Sequence, residues 1–286
     1  MTAAGIIDAH VHVASPDTAA YPRNPDFPGA PSLTGTIEEF HAVAGPMGVT
    51  QAVLIQPSQY GFDHAYLCES LRRRPGCAGV ALADPGDPHA ATGLAELARS
   101  APVTGIRLGP NFGDGRDWLG PEAGRIADCA RDLGLAVSLF IRPAHLSAVE
   151  RWLSDHPGLV VVIDHLGRPD LGDGAPLDAV RALGRLARFP GVYVKVSAIP
   201  AMSRTAHPHA DTWPWARAAA DAFGADRLMW GSDFPLTASG ESYARGLEVI
   251  GMAMGHLGER ELGRLLAGTA REVYRLPEER GNAHPH

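Results

Sequence analysis

The chain has 286 residues, 45% hydrophobic and 20% charged, with a formal net charge of −7. That length supports a large core, and an acidic balance without any basic run argues against a nucleic-acid partner. No apolar stretch is long enough to span a membrane, no signal peptide opens the chain, and three cysteines (Cys68, Cys77, Cys129) lack disulfide or zinc spacing, so a cytoplasmic setting is expected.

Short apolar runs then alternate with amphipathic stretches. The first run, GIIDAHVHV (5–13), is extended in character, and side-chain alternation predicts Asp8, His10 and His12 on one face with Ile7, Ala9, Val11 and Val13 on the other. A Pro-rich connection, ASPDTAAYPRNPDFPGAPSLTG (14–35), follows; unstructured connections of that length are usually lids or binding loops. TIEEFHAVAGPMG reads as a helix, QAVLIQPS as the second strand, DHAYLCESLRRRPG as a helix and GVALAD as the third strand. VTGIRLGP, LAVSLFIRP, LVVVIDHLG, VYVKVSAI and RLMWGSDFP complete eight runs, with helical patterns such as AHLSAVERWLSDHPG and LDAVRALGRLARFPG between them. Most helical stretches end in Gly or Pro-Gly, as helix C-termini commonly do. Eight strand–helix units without a linker predict one (β/α)8 barrel over residues 1–276, with some distortion allowed, and a polar tail at 277–286. A doubly wound sheet is disfavoured because no GxGxxG and no P-loop follows the first strand.

Alternation places Ser138, Phe140 and Arg142 inward on strand five and Tyr193, Lys195 and Ser197 inward on strand seven. The same rule puts Arg107, His165 and Asp233 inside, on strands four, six and eight. Gln56 and Ser58 end strand two, and with Tyr60 in the same segment they are expected on the substrate side. Barrel chemistry gathers at the C-terminal strand ends, so these residues should meet. His10, His12, His165 and Asp233 form a donor set for one divalent ion, zinc by preference and manganese as the alternative; metal-independent catalysis stays open. Asp8 is expected to orient its neighbours or accept hydrogen bonds rather than ligate. Asp233 can also take a proton from water, although an Asp before a Phe-Pro pair is equally a helix opener. Arg107, Arg142 and Lys195, with Arg204 and Arg168 in the loops after strands seven and six, suggest a small anionic substrate bearing a carboxylate. Pairing with nearby carboxylates is the rival reading for each. A homo-oligomer is compatible with the sequence. GxSxG and HExxH are absent.

Taken together, DAHVH, VVIDHLGRP and RLMWGSDFP resemble the amidohydrolase superfamily, in its amidohydrolase-related branch. QPSQYGFDHAYL, GIRLGP, IRPAHL and VYVKVSAIP are similar to its lactonase subgroup of 2-pyrone-4,6-dicarboxylate lactonase, sulfomuconolactone hydrolase and L-fuconolactonase. The resemblance implies water attack on a lactone, with Asp233 as general base. It assigns His10, His12 and His165 to polarising the carbonyl or holding a metal, and Arg107 and Arg204 to gripping a carboxylate. Strand five departs from the pattern, offering Phe140 and Arg142 where many metal-binding relatives have a His or carboxylated Lys, and Leu236 stands where relatives often have His. The expectation is therefore a hydrolase opening a carboxylate-bearing lactone. The alternatives are a metal-dependent nonoxidative decarboxylase or hydratase of the same superfamily, or a binding protein that has kept the barrel.

Overall fold

A computed structural model of the chain describes residues 5–27, 32–112, 117–171, 177–236 and 240–278. Eight parallel strands run in sequence order: β1 (Ile6–Val11), β2 (Val49–Ile55), β3 (Ala78–Leu82), β4 (Val103–Leu108), β5 (Ala136–Leu139), β6 (Val161–Ile163), β7 (Val192–Ser197) and β8 (Leu228–Gly231). His12 N–H donates to the Phe234 carbonyl at 2.8 Å and Asp233 N–H to the His10 carbonyl at 2.9 Å, so β8 returns to β1 and the barrel closes. The expected (β/α)8 architecture is the one observed. Most of the tail at 277–286 lies outside the described residues.

Two apolar layers hold the barrel. The outer one packs strands against helices: Val192, Val194 and Val196 of β7 lie there, as do Leu146, Val149, Trp152 and Leu153 on one face of the helix Leu146–Asp155. The inner layer is made by Ile7, Ala9, Val53, Ile55, Val80, Val162 and Met229, and the C-terminal residues from Ala267 to Leu276 plug it. Tyr274 is fully buried in this plug, its hydroxyl 3.3 Å from Ser138 Oγ. The plug is at the bottom, which leaves the other rim for the polar residues. No helix among the described residues is long and apolar enough to cross a membrane.

β1 departs from simple alternation. Ile7 and Ala9 belong to the inner layer and Val11 and Val13 to the outer one, although the sequence places all four on one face. The register explains it: from Asp8 to Val11 the chain advances three residues while β2 advances two, from Ala52 to Leu54. One extra residue is a β-bulge, which re-aims the side chains after it. Asp8 consequently leaves the face of His12. Its carboxylate accepts from Ser232 N–H at 2.8 Å, His10 N–H at 3.1 Å and the Tyr243 hydroxyl at 2.7 Å, tying β1 to β8.

The long connection after β1 is anchored rather than loose. Ala14 pairs with Gly35, Ser15 N–H donates to the Tyr60 hydroxyl, and Leu33 N–H donates to Gln59 Oε1. Residues 28–31 lie outside the described residues. The path carries Leu33 to the rim of the barrel.

Candidate active site

Four strand ends build the polar centre. Past the bulge, β1 delivers His10 and His12, whose Nε2 atoms stand 3.3 Å apart. Asp233 follows β8 with its backbone left-handed (φ 65), and its Oδ1 lies 3.7 Å from His10 Nε2 and 3.6 Å from His12 Nε2. Gly231 makes this approach feasible: a Cβ there would meet His10 Cβ at 2.6 Å and His10 N at 2.8 Å. His165 enters from the end of β6, its ring 4.4 Å from that of His10 and its Nδ1 2.8 Å from Ser197 Oγ on β7.

His165 reaches the centre by an irregular route. Alternation read from the sequence turns His165 inward, but Val162 lies inside and Ile163 outside, so the parity that β6 adopts would turn Asp164 inward and His165 outward. The backbone is instead left-handed at His165 (φ 52) and Leu166 (φ 55), so both Asp164 and His165 point into the barrel. Each such non-glycine residue costs roughly 1–2 kcal/mol. The turn is held by Trp215 Nε1–H donating to the Leu166 carbonyl at 2.9 Å and by Arg168 N–H donating to the His165 carbonyl at 2.8 Å.

Asp164 is the residue that sequence reading missed. It is fully buried, 2.7 Å from Arg107 Nε, 3.2 Å from Lys195 Nζ and 3.6 Å from His10 Nδ1. Burial alone would push its carboxyl up, but Lys195 and Arg107 outweigh burial and hold it well below the ordinary carboxylate range. The two cations that the sequence assigned to substrate thus first satisfy a carboxylate of the protein itself. The sequence gives no parity here, because residues 159–163 are apolar at every position, and only the structure shows Val162 inside and so points to Asp164.

Burial dominates the remaining titrations. It drives His12 down to about 3, and His10 and His165 well below the usual imidazole range. All three rings are therefore neutral at neutral pH. His12 Nδ1–H donates to the Ile55 carbonyl at 2.9 Å, so its Nε2 presents a lone pair to Asp233 and His10. Burial raises Asp233 to about 7, against the opposing charge of Arg107.

The centre has the dimensions of a metal site. His10, His165 and Asp233 offer ligand atoms all within 4.8 Å of one another, and His12 flanks them, close to His10 and Asp233. Zinc–nitrogen and zinc–oxygen bonds of about 2.0–2.1 Å place tetrahedral ligands about 3.3–3.4 Å apart. Edges of 3.3, 3.6 and 3.7 Å between His10, His12 and Asp233 come near that figure. Neutral imidazoles and a carboxylate are also the donor chemistry that such an ion takes.

A pocket of about 230 Å3 opens above this centre, lined by His12, Arg107, His165, Arg168 and Asp233, with Ser58 at its side. Arg168 is half-buried, its guanidinium 4.4 Å from the Phe140 ring, and Arg107 contacts the same ring at 4.3 Å. The other expected substrate contacts are placed elsewhere. Arg142 follows the end of β5, is exposed, and lines a neighbouring groove that shares Arg168 with the pocket; alternation does not extend past Leu139. Arg204 is exposed and pairs with Asp170 at 2.7 Å. Gln56 turns to the Gly61 and Asp63 carbonyls, and Tyr60 holds the β1 connection by its hydroxyl. Lys195 is fully buried beneath the pocket, beside Asp164 and 3.4 Å from His10 Nδ1.

Known proteins resemble this chain over most of its length. L-fucono-1,5-lactonase of Burkholderia ambifaria is 31% identical over 83% of this chain and 84% of its own. 4-Sulfomuconolactone hydrolase of Rhizobium radiobacter is 26% identical over 81% of this chain and 76% of its own. A Pseudomonas putida crystal structure, provisionally named a 2-pyrone-4,6-dicarboxylic acid hydrolase, superposes with a TM-score of 0.81 at 29% identity, covering 97% of this chain and all of the other. Residues 7–276 match the amidohydrolase family model, and the chain belongs to that family.

Proposed function

We propose that this protein is a hydrolase that opens a carboxylate-bearing lactone by water attack. The observation that carries the reading is the meeting of Asp233 with three neutral imidazoles beneath a pocket that also exposes guanidinium groups. The lactone activities of the similar proteins support it.

Asp233, ionised, takes a proton from the attacking water, whose oxygen bonds to the lactone carbonyl carbon. The acyl–oxygen bond of the ring breaks, and the ring oxygen leaves as a hydroxyl after receiving the proton from Asp233. Arg168 and the free nitrogens of Arg107 hold the substrate carboxylate, since a guanidinium fork matches that group. Asp164 fixes Arg107 and Lys195 below, so the fork is aimed before substrate arrives. His10, His12, His165 and Asp233 would hold a divalent ion, zinc by geometry. When bound, that ion supplies Lewis-acid polarisation of the carbonyl and a more acidic water.

Asp233→Asn should lower kcat roughly 10²–10⁴-fold while calorimetry still detects substrate binding. Full activity in that variant would end the proposal. Release of CO2, instead of ring-opened acid, would replace it with the decarboxylase reading.

A further inference from the structure

The pocket is chemically two-sided. One side carries the guanidinium groups of Arg107 and Arg168. The other is apolar: Leu33 from the β1 connection, Phe112, Phe140, Met202 after β7, and Leu236 after β8. Leu236 is 62% exposed, the most exposed large apolar side chain among the described residues. A lone exposed Leu needs no explanation, but this one continues a pocket wall, and a ligand filling the pocket would cover it.

The charge count is equally specific. Among the described residues, three cations stand at or under the pocket, Arg107, Arg168 and Lys195, against two carboxylates, Asp164 and Asp233. Arg142 and Arg204, which would serve a second acid group, are on the outer surface. Among the described residues, Ser58 is the lone neutral side chain of the lining that bears a hydroxyl, so the hydroxyls of a polyhydroxylated ligand would find no partner along the wall of Leu33, Met202 and Leu236.

We propose that the substrate is a lactone with one carboxylate and an alkyl or aryl substituent, the carboxylate on Arg168 and Arg107 and the substituent against Leu236, Met202 and Leu33. It is neither a dicarboxylated lactone nor a sugar lactone. The proposal rests on the lactone-hydrolase reading and narrows its substrate class.

The test is a panel of four carboxylated or hydroxylated lactones of one ring size, followed by acid release at constant pH. One bears a carboxylate only, one a carboxylate and a butyl or phenyl group, one two carboxylates, and one several hydroxyls. The substituted monoacid should have the highest kcat/KM, at least about tenfold above the unsubstituted one, as well-packed apolar groups give. Leu236→Asp should erase most of that ratio, and Leu236→Met should keep it. A dicarboxylated or hydroxylated lactone that is opened best overturns the narrower proposal and leaves the hydrolase reading intact. If no lactone is opened, the hydrolase reading falls, and calorimetry with the four ring-opened acids decides the pocket. Tighter binding of the substituted monoacid supports the two-sided pocket; equal or tighter binding of the diacid overturns it.

Discussion

Replacing Asp164 by Asn changes the shape of the barrel interior very little and its charge decisively. The carboxylate lies 2.7 Å from Arg107 Nε and 3.2 Å from Lys195 Nζ, and Lys195 has no exposed surface. At an effective dielectric of about 20 these contacts are worth roughly 6 and 5 kcal/mol, most of it spent on taking the charges out of water. Removing one partner leaves that desolvation uncompensated, which in buried pairs costs about 3–5 kcal/mol. For a domain of this size that is a fall in Tm on the order of 10 °C. Differential scanning fluorimetry gives the Tm, and urea unfolding followed by tryptophan fluorescence gives the free energy. Adding Lys195→Met should restore at least half of the loss, because it removes the fully buried cation, whereas Arg107 borders the pocket and can be hydrated. A loss below about 1 kcal/mol in Asp164→Asn, or a double variant no more stable than the single one, would refute an ionised Lys195–Asp164–Arg107 cluster.

Arg168→Ala should raise KM for a carboxylated lactone by about tenfold or more with little change in Tm, since the side chain is half-exposed and its ring contact with Phe140 is modest; an equal loss on a neutral lactone would remove it from carboxylate binding. Gly231→Ala forces a methyl group onto His10 and should destabilise the protein by about 1–3 kcal/mol with loss of activity, whereas an unchanged melting curve would contradict the close β8–β1 approach. In chelator-treated protein, Asp233 titrates near 7 because it is buried, so base catalysis should fade as the pH drops below that value. Its effect on stability has the opposite sign: the folded-state pKa is raised, so the contribution is full at low pH and is lost as the pH rises through about 7. The stability of wild type minus that of Asp233→Asn should therefore fall as the pH rises from 5 to about 7 and level off above it, and a constant difference would refute the raised value.

Strand and helix order, the barrel, and the inward placement of Arg107, Ser138, Lys195 and Ser197 are legible in the sequence because they follow from local rules. Alternation and helical period operate over a few residues, and the apolar valines of β7 announce them directly. The centre was legible as residue types: two imidazoles on β1, a third after β6 and a carboxylate after β8 stand out in the chain. What tertiary structure alone decided are the places where the backbone breaks its own period. A bulge in β1 sends Asp8 away from His12, and left-handed residues after β6 bring Asp164 and His165 inside together. The end of β5 releases Arg142 to the surface, and the pairing with Asp170 keeps Arg204 there. Bulges and left-handed turns cost local energy and are stabilised by distant partners, such as Ser232 and Tyr243 for Asp8 or Trp215 for Leu166. Residues that stabilise a backbone from 49 to 235 positions away leave no periodic trace beside it, so only the closed barrel shows which side chains share the pocket.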